Sequence, residues 1–136
     1  MTFEEALTAR VDEEASLAAM LSDDGGWSDR LQAFPGITFQ VVVDVRSQHM
    51  KGFQRVRQTT VQADVRATSR TEAASIRDRL IALLVPRALV DDVRFQRTMI
   101  SAVRGSGESE QSGERQRYRG TIARESIDFI FTHNAN

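Results

Sequence analysis

Apolar residues in this chain repeat at two spacings, one near the helical period and one of strict alternation. Phe3, Leu7, Val11, Leu17, Ala18 and Leu21 follow the helical spacing. Thr2 and Glu5 precede them as a capping box, in which hydroxyl and carboxylate each serve the other residue's amide. The pattern predicts a helix over Phe3–Leu21. Ser22-Asp23-Asp24-Gly25-Gly26 then breaks it, and a loop is expected through Trp27 and Phe34-Pro35-Gly36. From Ile37 the period changes to two. Ile37, Phe39, Val41, Val43 and Val45 would share the inward face of a strand, and Val42 suggests partial burial of the other face.

Arg46–Arg55 is too polar for core and reads as a long connection. Alternation resumes with Val61, Ala63, Val65 and Ala67 inward and Gln62, Asp64 and Arg66 outward. Ser69 and Glu72 suggest a second capping box, and Ala73, Ile76, Leu80, Leu83 and Leu84 form the apolar stripe of a helix that Pro86 stops. Val93–Gly105 reads as a third strand, with Phe95, Met99 and Val103 on one side. A fourth strand near the C-terminus carries Ile127, Phe129 and Phe131 inward, and a phase change at Glu125-Ser126 predicts a bulge. Between these last strands, Gly105–Glu114 is expected to be a flexible hairpin loop. The order α-β-β-α-β-β predicts an α+β fold: two layers, a mostly antiparallel sheet of about four strands, and two helices on one face. No linker separates independent cores, so residues 1–136 are expected to form one domain.

Composition limits the classes of function. The chain has no cysteine, which excludes disulfides and thiolate metal sites. No apolar run approaches the roughly 20 residues of a membrane span, and the acidic start lacks the features of a signal peptide. A soluble protein made in the cytoplasm, with no membrane partner, is expected. The net charge of −1 hides a division. Residues 1–29 hold eight acids against Arg10, whereas residues 45–104 hold twelve bases against five acids. Such a split suits docking between copies or folding of one copy on itself. All basic residues but Lys51 are Arg, a residue favoured at interfaces, although a GC-rich genome produces the same bias.

Candidate chemistry is sparse. His49 and His133 lie in or beside polar segments without a metal-type partner pattern, and both are expected to be exposed. Ser101, Ser106, Ser109 and Ser112 lie in no nucleophile elbow, and Gly105-Ser106-Gly107 lacks the spacing and Lys of a phosphate loop. The pairs Glu13-Glu14 and Asp91-Asp92 read as solvated helix or turn residues. Arg55, Arg57, Arg66, Arg70, Arg77 and Arg79 could form a basic surface for nucleic acid. An RNA-reading sheet needs exposed aromatics, however, and these strands offer aliphatics and Thr.

The segment VQADVRATSRTEAASIRDRLIALL resembles the tail-completion, or tail-terminator, proteins of long-tailed bacteriophages and gene transfer agents. In that family a Val-Gln-x-Asp-Val strand leads into an Ala- and Leu-rich helix opening with Glu-Ala. HMKG before the strand, MISAVRGSGE after the helix and SIDFIFTHN near the end fit in the same order, and FEEALTARVDEEASLAAML resembles the opening helix. Arg66 departs from the aromatic that relatives often carry after the Val-Gln-x-Asp-Val stretch. The resemblance implies a virion structural protein with no catalytic residues, cofactor or metal. It implies a homo-oligomeric ring, usually a hexamer, that caps the tail tube, stops its polymerisation and joins the head connector or stopper protein. Assembly would occur in the host cytoplasm, at the head-proximal end of the tail, with genome DNA passing through the lumen without sequence recognition. Candidate subunit or partner contacts are Glu13 and Glu14 in the acidic arm, Arg55, Arg57 and Arg66 in the basic middle, and Glu108 and Glu110 in the loop. A head-side connector ring and a small nucleic-acid-binding domain are the alternatives.

Overall fold

The computed structural model describes residues 2–21, 23–27, 35–46, 48–49, 52–53, 56–109 and 121–135. The first helix, α1 (Phe3–Asp12), starts on the expected capping box: the Thr2 amide donates to Glu5 Oε2 at 3.0 Å, and the Glu5 amide to Thr2 Oγ1 at 3.2 Å. It does not run to Leu21. Glu14 takes an extended conformation (φ −85°, ψ 98°) and separates α1 from the short helix α2 (Ala15–Ala18). This turn brings Leu17 to full burial beside Phe3, Leu7 and Val11 in the core. The long helix α3 (Arg70–Leu84) starts where Ser69 Oγ accepts the Glu72 amide at 3.2 Å, and it buries Ala73, Ile76, Leu80 and Leu84.

The strands are β1 (Asp23–Trp27), β2 (Gly36–Val45), β3 (Gln48–His49), β4 (Gly52–Phe53), β5 (Arg57–Ala67), β6 (Ala88–Val90), β7 (Val93–Phe95), β8 (Met99–Ser109) and β9 (Thr121–His133). Seven form one sheet in the order β1-β2-β5-β9-β7-β6, with β8 also alongside β9; β3 and β4 make a separate hairpin. Among the described strands only β1 runs parallel to its neighbour, β2. The expectation of about four strands and two helices is thus overturned. β1 forms within the Asp-Gly run read as a breaker, because pairing with Gly36, Thr38 and Phe39 of β2 supplies the ladder that local propensity withholds. The expected third strand divides at residues 96–98 into β7 and β8. Residues 105–109, read as loop, continue β8 opposite residues 121–125; a backbone ladder does not require apolar side chains. Residues 110–114 lie outside the described residues.

The central pairing is long and regular. β5 and β9 match from Arg57↔His133 to Ala67↔Ala123 without a register shift, so no bulge occurs at Glu125-Ser126 in this ladder. Val61, Ala63, Val65, Ala67, Ile127, Phe129 and Phe131 all face the buried side, where α3 packs on β5 and β9. Glu125 shares that side and reaches Arg77 of α3 at 3.2 Å. The register shifts lie elsewhere, between Val41 and Val43 of β2 and between Ile100 and Ala102 of β8. The first reverses an expectation. Beyond Val42, Asp44 stands opposite the inward Thr59, while Val43 and Val45 stand opposite Thr60 and Gln58 and are exposed.

Candidate interaction surface

Where the helices cover one side of the sheet, the other side of β2, β5, β9 and β8 is open. Its centre is polar. Asp64 accepts hydrogen bonds from Ser126 Oγ at 2.6 Å, Gln62 Nε2 at 3.1 Å and Arg124 Nη2 at 3.1 Å, with Arg66 Nη2 at 3.8 Å. Burial alone would raise its pKa. The Ser126 and Gln62 hydrogen bonds, then the Arg124 and Arg66 charges, outweigh that and hold the carboxyl below its ordinary value. One strand further out, Arg104 grips both oxygens of Asp128, at 2.9 and 3.3 Å. These pairs lock the middle of the face into one charge pattern.

Apolar residues flank that centre at one end of the sheet. Val43 pairs with Thr60, Thr60 with Ile130, and Ile130 with Met99, so these four lie on one row across the open face. The two ends of the row are exposed, Val43 at 48% and Met99 at 62%. Val42, Val45 and Val56 are exposed near the Val43 end; Val103, opposite Ile127, is exposed on the helix side of β8. Among the described residues of this face there is no aromatic to stack a base.

On the covered side, the sheet holds a polar chain that the sequence reading missed. His133 was expected at the surface but is 1% exposed, because it continues the inward series Ile127, Phe129, Phe131. Its Nδ1 accepts the Ala135 amide at 3.1 Å, which fixes the proton on Nε2, and Nε2 donates to Thr59 Oγ1 at 2.8 Å. Thr59 in turn donates to Asp44 at 3.3 Å, and the Phe3 ring stacks on the imidazole at 4.4 Å. Burial, reinforced by the Arg57 charge, lowers the His133 pKa from 6.5 to about 4. Both ring nitrogens are committed within the chain, so the imidazole stays neutral and has no free position for a ligand. Extending the period-two pattern to residue 133 would have found it.

Arg10 is the second missed residue. It is 6% exposed, donates to the carbonyls of Leu83 at 2.8 Å and Pro86 at 3.1 Å, and lies 4.8 Å above the Phe95 ring. It ties α1 to the C-terminal end of α3, where a cation is favoured. Burial lowers its pKa to about 10.

The candidate contact residues are not brought together. Glu13 caps α1 and Glu14 begins α2; they share a shallow depression with Arg10, Arg87 and Leu89 of their own chain. Arg57 is buried 3.8 Å from Asp44, and Arg66 donates to Thr38 at 3.3 Å besides approaching Asp64. Arg77 binds Asp78 at 3.0 Å as well as Glu125, while Arg70 and Arg79 are exposed on α3. The basic surface considered for nucleic acid is thus dispersed. Glu108 lies in β8 opposite Ile122, and Arg55 and Glu110 fall outside the described residues. Asp91 and Asp92 form the exposed turn between β6 and β7. Among the described residues, no group of three or more His, Asp or Glu could hold a metal ion, and no helix is long and apolar enough to cross a membrane.

Fold and surface together define a helix-backed sheet with one open face and a polar centre flanked by apolar edges. Among solved structures, the chain is similar to a chain in the virion of a native gene transfer agent particle, with a TM-score of 0.59 and 12% sequence identity. The match covers 98% of this chain and 94% of that one, so the two share a fold over nearly their whole length. No protein-family model and no curated protein matches the sequence.

Proposed function

We propose that this chain is a virion structural protein of a phage-like particle that forms a ring, a hexamer in its simplest form, on the head-proximal end of the tail tube. The ring stops tube polymerisation and presents a surface to the head connector, and genome DNA passes through its lumen without sequence readout. The observation that carries this reading is the near full-length fold likeness to a chain of a gene transfer agent virion. The ordered resemblance to tail-terminator proteins, centred on VQADV and the helix after it, supports the tail-end position in particular. The protein works by assembly and has no turnover of its own.

Deleting the gene in a particle-producing cell tests this. The expected result is overlong tubes of variable length together with tailless heads, restored by expression of the protein in trans. Particles of normal form and yield would overturn the reading. A virion likeness fits a head-side connector ring equally well, and the same deletion separates the two: loss of a connector leaves tails of normal length beside unjoined heads.

A further inference from the structure

The sheet has two exposed strand edges on opposite sides. β1 covers β2 only as far as Phe39, so residues 40–45 have no further ladder partner among the described residues. β8 pairs with β9 along its length and, among the described residues, with nothing on its other side. Such edges are templates for another strand unless Lys, Pro or a standing charge guards them. Neither residues 40–45 nor residues 99–105 contain Lys or Pro. The cation on β8, Arg104, is turned back over the sheet onto Asp128. Asp44, the one charge in residues 40–45, is turned to the helix side onto Thr59 and Arg57, which leaves Val42, Val43 and Val45 exposed on that edge and Met99 and Val103 on the other.

Three successive antiparallel pairings separate β2 from β8, so the two edge strands run in opposite senses. Val43 and Met99 also end the same cross-strand row. Copies placed side by side therefore bring antiparallel edges level at their Val43 and Met99 ends; the overlap is short, because β1 already holds Gly36, Thr38 and Phe39, which are level with Ser106, Arg104 and Val103 of β8. A head-to-tail contact that stays level is what closes a ring and avoids an open helix.

We propose that residues 40–45 of one copy pair antiparallel with the Met99 end of β8 in the next, extending the sheet from subunit to subunit. The occupant of the open edge is a second copy, attached by strand addition, with main-chain hydrogen bonds giving affinity and Val43 against Met99 giving register. This deepens the ring reading and rests on it.

The absence of native cysteine makes a disulfide test clean. The double variant V43C with M99C should form covalent multimers on mild oxidation, up to a closed species, while each single variant stays monomeric on a non-reducing denaturing gel. V45C with M99C reports a two-residue slip of the same ladder and would support the same contact. Disulfide dimers from M99C alone would overturn the proposal in favour of a two-fold β8–β8 contact. Rings seen by electron microscopy with no cross-link from either pair would overturn strand addition and leave the ring reading standing. A chain that stays monomeric by light scattering at every concentration would overturn both. Met99→Lys, at an exposed position, should weaken self-association at least ~10-fold and leave the thermal midpoint of the dilute monomer unchanged. Undiminished association in that variant would count against the contact.

Discussion

His133 should make the stability of this protein depend on pH in a window where carboxylates contribute little. The folded ring accepts a proton only near pH 4, whereas the unfolded ring does so at 6.5. On acidification the unfolded state takes up the proton first, so stability falls as pH drops through 6.5 and levels off below the folded value. One pKa unit corresponds to about 1.4 kcal/mol, which gives a loss of about 2 kcal/mol by about pH 5 and about 3 kcal/mol by about pH 4. The structural cause is specific: protonated Nδ1 would point a hydrogen at the Ala135 amide it now accepts, and a cation would sit among Phe3, Phe95 and Phe131 near Arg57. Urea melts across this range, with H133Q as the non-titrating reference, would measure the difference in slope. Proton NMR would follow the ring C–H resonance assigned by its loss in H133Q. A ring titrating near 6.5 in the folded protein, or equal acid losses in both proteins, would refute the reasoning.

Asp64 behaves in the same direction but at lower pH: its depressed carboxyl contributes stability above the ordinary Asp range of about 4 that is lost only below it. Asp64→Asn should cost about 2 kcal/mol near neutral pH, read by urea unfolding, and should flatten the acid limb below about pH 4. Arg10→Met keeps much of the stem but loses two hydrogen bonds to carbonyls at the end of α3; a loss of about 2–3 kcal/mol is expected, with Arg10→Lys recovering little. Asp91 sits at φ 55° in the β6–β7 turn, so Asp91→Ala should lower stability by about 1 kcal/mol and Asp91→Gly should not. Calorimetric midpoints would separate that pair.

Where local pattern and tertiary neighbour agree, the sequence was readable. The inward series Val61 to Ala67 and the stripe Ala73, Ile76, Leu80, Leu84 are fully buried as spaced, and the Thr2 capping box forms atom for atom. Legibility ended where a partner strand decides. Asp23–Trp27 has poor strand propensity and is a strand only because β2 lies beside it. The extra residue in β2 appears in the register against β5, which a run of four apolar residues in five positions conceals. His133 was expected at the surface, and Arg10 carried no signal of burial, because their partners, the Thr59 hydroxyl and the Leu83 and Pro86 carbonyls, are more than seventy residues away. Among the candidate contacts, Arg57 and Arg66 meet acids of their own chain, Asp44 and Asp64, a pairing that charge counts along the sequence do not reveal. The exposed Val43 and Met99 carry no charge signal at all.

The irregularity at Val42 makes this surface depend on residue count as well as residue type. Were the same residues paired one to one, Val42 would take Thr60, Val43 would take Thr59, and every side chain after Val41 would change sides. Val43 and Val45 would then turn under the helices, and Asp44 would leave Thr59 for the open face. Because two residues of β2 answer one of β5 at this point, deleting Val42 straightens the strand yet keeps Val43 opposite Thr60 and Asp44 opposite Thr59. Homologues free to vary this edge should therefore accept the loss of the one bulged residue, whereas a further residue added or removed there exchanges inside for outside.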